Sequence, residues 1–171
     1  MTRTMTVSGT VDIDASADEL YSLISDPTQM GQWSPENRGA IVLNPAEDGA
    51  AFVGMTFEGG NKRGRARWTT RCTVTAADPG RRFAFRVHTI GVKKPRLRGA
   101  NASWEYRFEP TAGGGTRVTE TWTDDRTAWP DALAAAFDRI VTRGKTFPDF
   151  QRINIRRTLD ALKRAVETAK A

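Results

Sequence analysis

One cysteine, Cys72, and one histidine, His88, are all that 171 residues supply of the soft metal ligands. A zinc site drawn from cysteine and histidine needs three or four of them, so metal chemistry would have to rest on carboxylates. No internal disulfide can form, and a lone thiol suits a reducing compartment, which makes the cytoplasm the expected location. No apolar run approaches the roughly 18 residues of a membrane span. Met1 to Val11 alternates polar and apolar residues where a secretory signal would carry an apolar core. Glycine-rich phosphate loops, serine elbows and dinucleotide fingerprints are missing as well. Neither a metal nor a cofactor is expected.

What remains is an ordinary globular composition, 39% hydrophobic and 27% charged, long enough for one core, and the chain reads as a single domain, residues 1–171. Its charge is uneven. Residues 1–61 carry 2 basic and 9 acidic side chains (net −7), and residues 62–171 carry 24 and 11 (net +13). Such asymmetry steers anions, nucleic acids or membrane surfaces to one side. No aromatic-plus-glycine RNA motif or recognition helix accompanies it, so no nucleic-acid partner is expected, nor insertion into a membrane.

Thr4 to Ile13 alternates as a strand. Ser16-Ala17-Asp18-Glu19 is a capping box that opens a short helix, and Asp26-Pro27 ends it because proline drives its predecessor out of the helical region. A further short turn, Thr28 to Trp33, follows. The apolar period then switches to two, giving strands at 41–43, 51–58, 66–75, 82–90, 102–110 and 116–123, joined by turns such as Asn61-Lys62-Arg63-Gly64 and Asp78-Pro79-Gly80. Short turns between consecutive strands imply an antiparallel meander. Pro130 to Thr142 reads as a helix anchored by Leu133, Phe137, Ile140 and Val141. Thr146 and Asp149 cap a last helix whose apolar half carries Phe150, Ile155, Leu159, Leu162 and Val166.

Strand parity assigns faces. Trp68, Thr70, Cys72 and Val74 share the inner face with Phe83, Phe85 and Val87, with Trp104, Tyr106 and Phe108, and with Val118, Glu120 and Trp122. Setting Trp68 opposite Thr89 puts Cys72 against Phe85 inside and His88 against Thr69 outside, which separates the one thiol from the one imidazole. A curved sheet and a long helix diverge at one end, so a cavity is expected between them. Its candidate lining is aromatic: Trp33, Phe57, Trp68, Phe85, Trp104, Trp122, Phe137 and Phe150. Gln151, Asn154 and Thr158, at i, i+3 and i+7 on the inner side of the last helix, either pair with one another and the backbone or orient a bound molecule. Glu120, opposite Tyr106 if Trp104 pairs with Trp122, is the candidate acid or base, its pKa raised by burial.

The order of elements resembles the START-like superfamily of helix-grip proteins, which includes polyketide cyclases, dehydrases and lipid transporters. The resemblance runs through Ile13-Asp14-Ala15-Ser16, Trp33-Ser34-Pro35-Glu36, Phe57-x-Gly59-x-Asn61 with Trp68, Asp78-Pro79-Gly80 before Phe83 to Phe85, and Trp104 with Gly115 to Glu120. It is similar to small bacterial members abundant in actinobacteria. The resemblance implies an α+β helix-grip fold, with a curved antiparallel sheet of six to seven strands around a long C-terminal helix and short helices after the first strand. It also implies a small hydrophobic partner (a lipid, polyketide or other aromatic or isoprenoid molecule) held in the cavity. A polyketide cyclase, aromatase or dehydrase using Glu120 and Tyr106 in the same cavity is the alternative. A basic interaction module built on Arg67, Arg71, Arg86, Lys93, Lys94, Arg96 and Arg98 is the second. Residues 126–145 are an insertion relative to the compact family pattern, expected as a mobile cover over the cavity mouth.

Overall fold

The computed structural model describes residues 3–170. Seven strands, β1 (Thr6–Ile13), β2 (Asn37–Val42), β3 (Thr56–Arg63), β4 (Ala66–Asp78), β5 (Arg82–Gly91), β6 (Leu97–Pro110) and β7 (Thr116–Asp124), form one antiparallel sheet in the order β1-β7-β6-β5-β4-β3-β2. Three helices accompany it: α1 (Ala17–Ile24), α2 (Asp131–Thr142) and α3 (Phe147–Ala169), with a 3-10 turn at Pro27–Gln32. This is the α+β helix-grip arrangement.

Both expected caps form. The Ser16 hydroxyl accepts from the Glu19 N–H, and the Thr146 hydroxyl accepts from the Asp149 N–H while donating to its carboxylate at 2.7 Å. α3 lies along β1 and β7 and stands off β3, β4 and β5. Gly9 permits that approach, because a Cβ there would sit 2.7 Å from Ile155 Cγ2. α1 covers β5 and β6, with Tyr21 edge-on to Phe83 and Phe108. A single apolar cluster joins α1, the inner face of the sheet and the buried stripe Ile155, Leu159, Leu162 and Val166 of α3.

Three expectations are corrected. The strand placed at 51–58 is β3, Thr56–Arg63, because the chain before Met55 is an exposed loop and Asn61–Arg63 is strand, leaving only Gly64 and Arg65 for the turn. The β4–β5 register is displaced by two to three positions because pairing starts with Asp78 opposite Arg82 across a three-residue turn; two bulges, at Thr75 on β4 and His88 on β5, offset each other, so that Cys72 pairs with Val87 and Thr69 with Gly91. Cys72 is still buried inside, and His88 still lies on the other face, bonded to the Thr73 hydroxyl at 2.9 Å.

The third correction concerns α2, which is turned inside out. Leu133, Phe137, Ile140 and Val141, expected to anchor it, are 57%, 41%, 79% and 37% exposed, while Ala134, Asp138 and Thr142 are buried. The cause is a buried charge network. Arg126 is held by both oxygens of Asp124 at 2.9 and 2.7 Å and reaches Asp138 at 2.9 Å, and Asp138 also accepts the N–H of Phe147 at 3.0 Å. Arg3 stands 3.7 Å from Asp124. Burial opposes ionisation of Asp124, but the hydrogen bonds and charge of Arg126, with the charge of Arg3, more than offset it and hold the carboxyl below its ordinary range.

Candidate functional site

The inner face is filled by its own rings along much of its length. Trp33, Phe57, Phe83, Tyr106 and Trp122 are each 3% exposed or less. Bulky rings on five neighbouring elements interdigitate along this stretch once α1 and the 3-10 turn are laid over them. Two clefts lie elsewhere. One, of about 460 Å³, runs between β1 and the outer side of α3, and the other, of about 520 Å³, sits on the outer face of the sheet among Arg71, Arg86, His88 and Arg98.

Less tightly covered is the end where α3 stands off the sheet. Trp68, Thr70 and Trp104 on the strands and Phe147, Phe150 and Asn154 on α3 are half-buried there. Trp104 stacks on Phe85, with ring centres 5.8 Å apart and planes 11° apart, and Phe85 meets Phe57 edge-on at 5.4 Å. Phe147 packs against Trp122 at 6.3 Å. Gln151 and Thr158 are buried; the Asn154 amide points to the Gln151 carbonyl at 3.5 Å. Phe137 alone among the candidate residues points away, its ring against Trp129 and the Arg126 guanidinium on the outside of α2.

Arg63 closes this end, a residue the sequence reading assigned to a turn. Its guanidinium lies 3.8 Å over the Phe150 ring and 5.3 Å from that of Trp68, forks onto both carboxylate oxygens of Glu36, and donates to the carbonyl of Val141 at 3.3 Å. One side chain thus ties β3, α2, α3 and the segment before β2 together. Glu36 belongs to the Trp33-Ser34-Pro35-Glu36 motif, and that motif was the signal available in the sequence.

The register pairs Trp104 with Trp122, and with it Tyr106 with Glu120. Glu120 is 2% exposed on a wall of rings. The Tyr106 hydroxyl donates to its Oε1 at 3.1 Å, while Oε2 has no partner among the described residues. Burial pushes the carboxyl up to about 8, against the smaller lowering effect of the Tyr106 hydrogen bond, so it is mostly protonated at neutral pH. Tyr106 is itself raised well above its ordinary value by burial and by Glu120. Trp33, edge-on to Tyr106 at 6.0 Å, has a buried ring N–H that is likewise unpartnered. Burial pushes the Cys72 thiol up to about 12, which leaves it protonated and a poor nucleophile.

A family model described as polyketide cyclase / dehydrase and lipid transport matches residues 4–167. The chain belongs to this family. Solved structures agree on the fold. A START superfamily protein from Mycobacterium smegmatis superposes with a TM-score of 0.70 at 16% identity, over 97% of this chain and 99% of that one. A Polyketide_cyc-like protein from Corynebacterium glutamicum is 26% identical over 99% of this chain and 95% of its own, with a TM-score of 0.54. The di-domain ARO/CYC BexL from the BE-7585A biosynthetic pathway matches 96% of this chain with 47% of its own length, at 19% identity and a TM-score of 0.65. A comparison with curated proteins found no match. Family membership supports a ligand-binding or cyclase role in general, and no helix among the described residues is long and apolar enough to cross a membrane.

Proposed function

We propose that the chain, acting as a single domain in the cytoplasm, binds a small hydrophobic molecule that carries at least one hydrogen-bonding group. The site is the strip between the inner face of β3 to β7 and the first turns of α3. The observation that carries this reading is Glu120: a protonated carboxyl on an aromatic wall, with one oxygen on Tyr106 and the other unpartnered. An unsatisfied buried polar atom costs about 1 to 3 kcal/mol, and a ligand hydroxyl or carbonyl next to Glu120 Oε2 or Trp33 Nε1 would recover it. Phe85, Trp104, Phe147 and Phe150 supply apolar contact, and Gln151, Asn154 and Thr158 supply further polar groups. Access runs past Arg63, whose contacts with Phe150 and Glu36 must part to admit a guest, with residues 126–145 as the cover above it.

The test is native mass spectrometry and tryptophan quenching against pooled lipids, quinones and aromatic polyketides. Binding that weakens about tenfold in Glu120→Leu, the loss of one buried hydrogen bond, is the expected result. No retained mass and no quenching with any pool would refute it.

One observation favours a second reading, in which the site performs chemistry. A carboxyl that titrates near 8 can donate a proton at neutral pH, which suits the cyclisation or dehydration of a polyketide with Glu120 as general acid and Tyr106 as its hydrogen-bonded companion. Glu120→Gln then abolishes turnover and spares affinity, whereas unchanged turnover removes the enzyme reading.

A further inference from the structure

The outward face of α2 has an apolar centre, with Arg139 and Asp131 at its margins. Leu133 and Ile140 stand clear of the protein, Phe137 and Val141 are partly exposed beside them, and Trp129 precedes the helix. A surface helix normally turns such a face to the core. Here Asp138 is held inward by Arg126, so α2 cannot roll over to bury its apolar side without breaking a buried ion pair. Contiguous apolar exposure of this kind marks a contact surface.

Strand direction brings more to the same end. Because every pairing is antiparallel, the β3–β4 turn, the β5–β6 connection and the end of β7 that leads into α2 share one edge of the sheet. α2 reaches across that edge: Asp131 approaches Arg3, which precedes β1, and the Val141 carbonyl meets Arg63 at the end of β3. The β3–β4 turn adds exposed Arg65 and Arg67. The β5–β6 connection and the start of β6 add exposed Lys93, Lys94, Arg96 and Arg98, with apolar Val92 and Leu97 among them. The end of α2 adds Arg139, Arg143 and Lys145. Among the described residues none of these nine cations is ion-paired, while the nearby Glu36, Asp125, Asp131 and Asp149 each have a basic partner.

We propose that this end docks peripherally on an anionic lipid bilayer. α2 lies in the plane of the headgroups, Leu133, Phe137 and Ile140 enter the acyl boundary, and the flanking lysines and arginines meet lipid phosphates. The charge selects this partner. A second copy laid on the same face would set cation against cation, and a nucleic acid would leave the apolar centre with nothing to bury it. The inference is independent of what binds inside the protein.

The full chain is co-sedimented with phosphatidylcholine vesicles, with and without a phosphatidylglycerol fraction, at low and high salt. Brominated acyl chains in the vesicles read the depth of Trp129, with Trp129→Phe as the control. The expected result is binding to the anionic vesicles only, quenching that Trp129→Phe diminishes, and a loss of roughly tenfold or more in affinity at high salt or in Leu133→Glu/Ile140→Glu. Both altered side chains face solvent, so the thermal midpoint should stay unchanged; if it falls, quenching in the unaltered chain decides. No binding to anionic vesicles at low salt overturns the proposal. So does binding that the double variant leaves intact, a dimer in light scattering that the double variant dissolves, or capture of a polynucleotide in place of vesicles.

Discussion

Removing the carboxylate of Asp138 should cost far more than removing the large ring one helical position away. The buried network of Arg3, Arg126, Asp124 and Asp138 has two positive and two negative charges, and Asp138→Ala leaves it with an excess positive charge. Breaking a buried pair by deleting one partner costs about 3 to 5 kcal/mol. The lower end applies here because both oxygens of Asp124 stay on Arg126. The Phe147 N–H, one of the orphan donors at the start of α3, loses its acceptor as well. About 3 kcal/mol corresponds to a fall of roughly 6 to 12 °C in the thermal midpoint of a chain this size. Phe137→Ala, at a ring 41% exposed, should cost about 1 kcal/mol or less. Urea unfolding followed by circular dichroism reads the global cost, and hydrogen exchange over residues 131–150 reads the same free energy if α2 opens alone. The reasoning fails if Asp138→Ala changes both by less than about 1 kcal/mol, or if Phe137→Ala is the more damaging change.

Two further outcomes follow from the interior. The Glu120 carboxyl titrates near 8 in the fold against 4.5 in the open chain, so the native state holds the proton more tightly. Its contribution to stability is complete below about pH 4.5, declines as the pH rises and is gone once the native carboxyl ionises above about 8. At about 1.36 kcal/mol per pH unit the span is on the order of 5 kcal/mol. Relative to Glu120→Gln, the parent chain should therefore lose stability between pH 5 and 8 in parallel denaturant titrations, and equal slopes would count against a buried neutral acid. Gly9→Ala should destabilise by about 1 to 3 kcal/mol, because its methyl would meet Ile155. In a double-mutant cycle Ile155→Ala should relieve part of that cost, and simple additivity would show that the contact is not the cause.

The capping boxes at Ser16 and Thr146 could be read from sequence because each is a local pattern, complete within four residues. The β6–β7 pairing could be supposed by setting Trp104 opposite Trp122, and the ladder runs unbroken from Pro110 to Ala102, so that one supposition placed every pair. Between β4 and β5 the faces were assigned correctly but the register was not, because the pairing of Asp78 with Arg82 makes the turn longer than Asp78-Pro79-Gly80 suggested. The face of α2 failed for a different reason. Its apolar stripe is real, but orientation is decided by Arg126 and Asp124, outside the helix, acting on Asp138, and a hydrophobic period does not register an ion pair 12 residues apart. For the site, the inward placing of Glu120, Tyr106, Trp68, Trp104 and Trp122 followed from strand parity. Arg63 did not, because Asn61 to Gly64 has turn composition although three of those residues are strand. The filling of the inner face was not readable either, as it depends on how Trp33 enters from a separate element.

The docking of α3 against β1 sets the order of events during synthesis. Among the described residues β1 pairs in the sheet with β7 alone, its end carbonyl at Asp12 accepts from Lys163, and the Asp14 N–H just beyond it donates to Glu167, each across more than 150 residues of chain. At about 5 to 20 residues per second, the stretch between β1 and β7 takes roughly 5 to 20 s to be made. Throughout that interval the first strand is an unpaired edge with Val7, Val11 and Ile13 uncovered, while the β2 to β6 meander can already assemble from neighbouring contacts. Folding of this chain is therefore completed from its tail, and the nascent N-terminal strand is the segment that a ribosome-associated chaperone would have most reason to hold.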